Sequence, residues 1–236
     1  MSDLQNAVSW PEDFSGRVRL FPLPNVVLFP HVVQPLHIFE PRYCEMLCDA
    51  LDSDRLIAMA LLEPGWEMQY QKRPAIAPVV CIGKVITHTL TADHRHNVLL
   101  AGLRRARIRR EIECGERTYR QADVELLADT YPSDCALTRS KSQDELLCMF
   151  SQLVPEGLGV QESFQQLIGA QLHLGILTDV ITFTLDLPLP VKQQLLAEPN
   201  VDVRCRILSR CLKELLKNRE LTSQVSGKFP PRFSPN

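Results

Sequence analysis

Residues 20–43, LFPLPNVVLFPHVVQPLHIFEPRY, decide how the rest of the chain is read. Until Glu40 the stretch is almost free of charge, yet prolines 22, 24, 30, 35 and 41 interrupt it. Proline offers no N–H to a sheet ladder and its ring clashes inside a helix, so neither a long helix nor a central strand is expected here. The apolar pieces between prolines read as short edge strands and buried turns. Pro41 suits a first helical turn, and Tyr43, Met46, Leu47, Ala50 and Leu51 then recur on one helical face. The stretch therefore reads as strand, kinked crossing, strand and short helix.

Before it, residues 1–16 read as a mobile arm with only Trp10 and Phe14 as large apolar groups. Beyond it, the apolar run 56–62 is too short and too cleanly bounded for a helix, and fits a strand buried on both faces. Residues 63–78 form a long loop with Trp66, Met68 and Tyr70 at alternate positions. Strands are expected at 79–89, 97–101, 103–113 and 119–127, with Gly83 and Gly102 at bends or bulges, a pattern that argues for a closed or nearly closed barrel. After Asp129 the period turns helical. Ser142 and Glu145 read as a capping box, followed by Leu146, Leu147, Phe150, Leu153 and Val154 on one face, with Gly157 and Gly159 ending that helix. Further helices are expected around Phe164, Leu167, Ile168 and Leu172, around Ile176 to Leu185, around Leu195 and Leu196, and from about 201 to 221.

The opening stretch also resembles the amino-terminal, substrate-recognition domain of Lon proteases. The resemblance rests on Phe21-Pro22-Leu23, Val27-Leu28-Phe29-Pro30 and the run from Pro35 through Leu36, His37, Ile38, Phe39, Glu40, Pro41 and Arg42 to Tyr43. It continues through Ile82-Gly83-Lys84-Val85, Asp93, Arg95, residues 98–102 and residues 105–108, then Leu177-Thr178-Asp179-Val180, residues 192–196 and Arg204. One departure is His94, where the family usually carries glycine, so a wider hairpin is expected there. The resemblance spans roughly residues 17–218. It implies an α+β chain: a PUA-like β-barrel over 17–129, an α-helical bundle over 130–221 and, by composition, a disordered tail over 222–236.

Composition sets few limits on function. The 236 residues carry a net charge of −2, so no global pull toward nucleic acid or anionic membrane exists. The first residues lack the order of a targeting signal and no apolar run reaches membrane-span length, so a cytoplasmic protein is expected. The eight cysteines are scattered without a C-x-x-C pair and read as reduced, mostly buried thiols. Nucleotide chemistry lacks its motif, because neither Gly83-Lys84 nor Gly227-Lys228 completes a phosphate loop. His88, His94 and His96, and Cys44 and Cys48, are the candidate metal ligands, but each cluster lacks a partner pair. No catalytic, cofactor or metal residue is assigned, and the binding surface and oligomeric state stay open.

Two functions remain. The resemblance implies a non-catalytic module that binds unfolded or apolar polypeptide segments, alone or in the service of a protease or chaperone. The alternative is a PUA-like RNA binder using the basic run 104–110, where Arg105, Arg107 and Arg109 would share one strand face. Glu111, Glu113, Glu116, Asp123 and Glu125 lie near in sequence to pair with those arginines, and no aromatic platform is interleaved, so nucleic acid is the weaker expectation.

Overall fold

A computed structural model of the chain describes residues 9–69, 72–93, 95–113, 115–154 and 172–226. Among the described residues there are six strands: β1 (Arg17–Leu23), β2 (Val33–Ile38), β3 (Leu56–Leu61), β4 (Val79–Leu90), β5 (His96–Ile112) and β6 (Gln121–Leu127). Among the described residues there are five α-helices: α1 (Pro41–Leu51), α2 (Arg139–Leu153), α3 (Leu174–Thr184), α4 (Leu189–Ala197) and α5 (Val201–Ser226). The chain divides into two compact units, one from Met1–Thr130 with Asp179–Pro199 and one from Tyr131–Thr178 with Asn200–Asn236.

In the strand unit the sheet order is β2-β5-β4-β3-β1-β6, and β6 also pairs with β5, so hydrogen bonding runs round and returns on itself. β1 and β3 are parallel while the other pairings are antiparallel. A parallel pair needs a long crossover, and residues 24–55 supply it with β2 and α1. β3 is buried along nearly its whole length, as its unbroken apolar run predicts. Leu20, Ala58, Val80, Ile82, Ala106 and Ala122 lie at the centre of the core. Trp10 and Phe14 contact each other at 4.8 Å and pack against that core, so the described part of the N-terminal arm is docked.

β1 lies between β3 and β6, against the expectation that proline excludes a central strand. The geometry explains it: β6 pairs only with Arg17, Val18 and Arg19, whereas Pro22 falls in the half of β1 paired with β3 alone. At Pro22 the strand is an edge, where a missing N–H costs nothing. The second correction is that the strands expected at 97–101 and 103–113 are one, β5 running unbroken through Gly102 from His96 to Ile112, while the bulge expected at Gly102 is present. A bulge sets Ile82 and Gly83 of β4 against Arg104 and Gly102 of β5. The residues before β2 cross there, His31 N–H donating to Gly102 O at 2.9 Å and Gly102 N–H to Val32 O at 2.8 Å.

Arg19 ties β1 to the turn between α1 and β3, donating to Asp54 Oδ1 at 2.7 Å, Asp49 O at 3.0 Å and Ser53 Oγ at 2.6 Å. Arg105 is buried in the same unit, where Nη1 donates to Asp179 Oδ2 at 3.0 Å and Nε to Leu196 O at 3.0 Å, while Nη2 closes a fork onto Asp179 Oδ1. Gln193 of α4 donates to Val79 O at 2.7 Å.

In the helical unit α2 packs on α5, burying Leu146 and Phe150 of one and Leu208 and Leu212 of the other. Asn200 Oδ1 accepts from the N–H groups of Asp202 and Val203 at 3.0 and 3.2 Å, capping α5. Arg204 is fully buried, donating to Thr178 Oγ1 at 2.8 Å. The expected capping box is absent: α2 begins at Arg139, so Ser142 is already inside it. A 3-10 turn over Ser133–Thr138 feeds directly into the helix and starts it earlier. α5 continues to Ser226, so residues 222–226 are helical rather than part of a disordered tail. Residues 227–236, Cys114, Gly157 and Gly159, and the helix expected around Phe164, Leu167 and Ile168 lie outside the described residues.

Candidate functional site

β5 is long enough to serve two neighbourhoods. Its second half pairs with β6, whereas its first half extends past that ring and carries β2 on one side and the end of β4 on the other. The result is a three-stranded tongue. Register places Pro35, Leu99 and Thr87 side by side, and next to them His37, Asn97 and Thr89. Directly opposed residues in antiparallel strands share a face, so these groups form one outer surface. They line an open groove of about 340 Å³. Val33 and Leu99 are exposed at 45% and 37% on this tongue, and Phe39, just beyond β2, at 59%. Together they give this face of the tongue an apolar strip.

Polar groups punctuate the strip. His37 Nδ1 lies 2.8 Å from Asn97 Oδ1, a hydrogen bond that ties the ring to β5. The His37 and Phe39 rings lie 6.0 Å apart, and the Arg95 guanidinium sits 6.0 Å from the Phe39 ring centre. Arg95 is held by Asp93 at 2.9 Å. Asp93 has its carboxyl pushed below the usual range, first by the Thr91 hydroxyl, then by its own backbone N–H and then by Arg95.

β2 is also a free edge, but a blunted one. Pro35 has no N–H, and the Gln34 side chain donates to Pro35 O at 2.8 Å, occupying the carbonyl next to the missing donor. Both features discourage strand addition at the middle of the edge. The outer face is therefore better equipped for contact than the edge.

The residues singled out in the sequence fall elsewhere. Trp66 and Met68 sit in a 3-10 turn (Trp66–Gln69), Met68 being almost wholly exposed and Trp66 half-buried; Tyr70 lies outside the described residues. His88 Nε2 and His96 Nδ1 meet at 2.7 Å on the opposite face of the tongue, and His94 lies outside the described residues. His96 is held below the ordinary imidazole range, mainly by burial and then by His88. Among the described residues no three or more His, Cys, Asp or Glu are placed to hold a metal. Nor are the thiols mostly buried: Cys81 and Cys205 are, but Cys48 and Cys148 are exposed. Cys81 lies wholly in the core, and burial pushes its thiol far up. Among the described residues no helix is long and apolar enough to cross a membrane.

The basic run does not make a stripe. Arg105 points into the core onto Asp179, and a bulge between Ile108 and Arg110 breaks the alternation that would have aligned the rest. Arg109 pairs with Glu125, and Arg110 with Asp123 at 2.8 Å. No sequence pattern points to the Arg105–Asp179 pair, although both residues lie in segments that carry the family resemblance.

The fold has close counterparts. The chain superposes on the N-terminal domain of Mycobacterium avium complex Lon protease with a TM-score of 0.64, at 16% identity over 84% of this chain and 98% of that one. The Lon N-terminal domain protein from Xanthomonas campestris gives 0.57, at 17% identity over 81% and 96%. In sequence it is 24% identical over 231 residues to a Lon protease of Anaeromyxobacter dehalogenans, and 25% identical over 215 residues to that of Aquifex aeolicus. These matches cover 92% and 88% of this chain but 26% of each relative, so the chain spans about a quarter of their length. The model of the ATP-dependent protease La (LON) substrate-binding domain matches residues 17–214, which takes in the sheet, the tongue and the helices up to the middle of α5. The chain belongs to the Lon substrate-binding domain family.

Proposed function

We propose that this chain is a non-catalytic recognition module that holds apolar, extended polypeptide segments on the outer face of the tongue, in the service of ATP-dependent proteolysis. The observation that carries the reading is the exposed row of Val33, Pro35, His37 and Leu99 beside an open groove, in a family whose model is described as substrate-binding. The closed strand pairing supports reading the sheet as a PUA-like barrel from which the tongue projects. Flat apolar contact with few fixed polar partners makes little demand on sequence, which suits unfolded clients. RNA binding is disfavoured, because Arg105 is buried and Arg109 and Arg110 are paired with carboxylates.

The test is a fluorescence titration of an unfolded apolar peptide and of a structured RNA at low and high salt. Peptide binding is expected in the micromolar range or weaker, about −8 kcal/mol or less in magnitude. It should persist at high salt, because apolar contacts do not depend on counterion release. Leu99→Asp should weaken it at least about 5-fold by placing a carboxylate in the groove, while Arg104→Ala/Arg107→Ala should leave it unchanged. Salt-sensitive RNA binding lost in the arginine variant, without peptide binding, would overturn the proposal.

A further inference from the structure

A second cleft, of about 260 Å³, lies in the strand unit away from the tongue. The first turn of α1 supplies Arg42 and Tyr43, the segment before β4 supplies Lys72 and Arg73, and the approach to β6 supplies Tyr119 and Arg120. A narrower recess shares Arg42, Tyr43, Lys72 and Arg120 and adds Pro22, Leu62 and Pro74. The wall is thus cationic, and among the described residues no carboxylate lines either.

The cations are held in place. Arg120 Nη1 donates to Pro74 O at 2.8 Å and Nε to Glu111 Oε2 at 2.8 Å. Arg73 Nη2 donates to Ile112 O at 3.1 Å and lies 3.7 Å from the same Glu111. Arg42 donates to Glu40 Oε2 at 3.1 and 2.8 Å, its guanidinium 4.7 Å from the Tyr43 ring centre. One carboxylate therefore serves both Arg73 and Arg120, and exposed Lys72 adds a further charge. Glu45 and Asp49 accept from the Thr118 and Tyr119 hydroxyls, and Arg117 sits 3.2 Å from Asp49. The wall keeps an excess of positive charge.

We propose that this cleft is a carboxylate-binding site. It receives an acidic group of the bound polypeptide, from a side chain or from a chain terminus. Guanidinium and ammonium groups on a pre-positioned wall complement a planar carboxylate, and a cleft near the lower end of small-ligand pocket sizes takes about one residue. The proposal rests on the polypeptide-recognition reading and refines it: one surface takes apolar chain, the other an acidic anchor.

The probe is N-acetylphenylalanine, with its amide as control, titrated into the full chain while the side-chain resonances of Tyr43, Arg42 and Lys72 are followed by NMR. The acid should shift them and bind at least 5-fold more tightly than the amide. Lys72→Gln and Arg42→Gln should weaken the acid about 5-fold without changing the amide, and Arg42→Lys should recover part of the loss, circular dichroism confirming the fold. Equal binding of acid and amide, or no shift at the cleft, would overturn the site. Peptides with a free C-terminus, with an amidated one, and amidated with an internal Glu then separate the two sources of carboxylate. If the acid binds but no peptide does, the site stands and the polypeptide reading fails. If peptides bind on the tongue with no preference for a carboxylate, the reading stands and the site fails.

Discussion

A methyl group added at Gly102 would lie 1.9 Å from Phe29 O and 2.8 Å from Phe29 C, so it is the close passage of two backbones that demands glycine there. Neither backbone can yield without breaking the paired bonds among His31, Val32 and Gly102. Gly102→Ala should therefore cost at least the about 1–3 kcal/mol typical of overpacking, read as a lower urea midpoint. The Arg105–Asp179 pair sets a larger scale, because removing one partner leaves the other charged and buried. Asp179→Ala should cost about 3–5 kcal/mol, and Arg105→Met/Asp179→Leu much less, in the same urea experiment. His96 gives a pH signature. Its folded pKa is lowered, so the unfolded chain binds the proton more readily; the stability is complete above the ordinary histidine range near 6.5 and is lost as pH falls through the folded value. Melting temperature should therefore fall more steeply between pH 7.5 and 5 for the native chain than for His96→Gln, with the part due to His31, lowered by burial, retained in both.

At the scale of elements, β2 shows how one strand can be both exposed and safe. A free edge invites a second copy, yet Pro35 and the Gln34–Pro35 hydrogen bond interrupt its donors and acceptors where a partner strand would dock. Pro35→Val restores a donor on a β-branched residue suited to strands. Light scattering should then show self-association rising with concentration, while the native chain stays unchanged over the same range. α2 makes a different point. Its capping signature at Ser142 and Glu145 is real in pattern, but a 3-10 turn delivers the chain already coiled, so the helix starts earlier. Glu145 instead lies 4.0 Å from Lys141, one turn before it.

At the scale of the molecule, the strand unit is not continuous in sequence. Asp179–Pro199 joins it from beyond the first helices, bringing Asp179, Gln193 and Leu196 to Arg105 and Val79. A fragment ending at residue 130 leaves Arg105 without Asp179 or the Leu196 carbonyl. It should lack dispersed amide resonances in NMR, while the same fragment co-expressed with residues 172–226 should recover them. Dispersed, stable spectra from the short fragment alone would show that the ion pair is dispensable.

The sequence by itself determined the family, through proline placement and the residues between, and most elements, through their periods. Strand 56–61 was legible because an unbroken apolar run of that length has few other uses. The crossing before β2 was legible because proline narrows the backbone choices. What tertiary structure alone decided were matters of partnership. Alternation put Arg105 on a face with Arg107 and Arg109, but period cannot say which face of a closed sheet is inside or what waits there; a carboxylate from residue 179 made burial tolerable. Gly102 reads as a bend or bulge, and a bulge is there, but only the carbonyl of Phe29 shows that a missing side chain was needed for contact. The groove on the tongue was invisible for the same reason: Pro35, Leu99 and Thr87 are far apart in sequence, and register alone makes them neighbours.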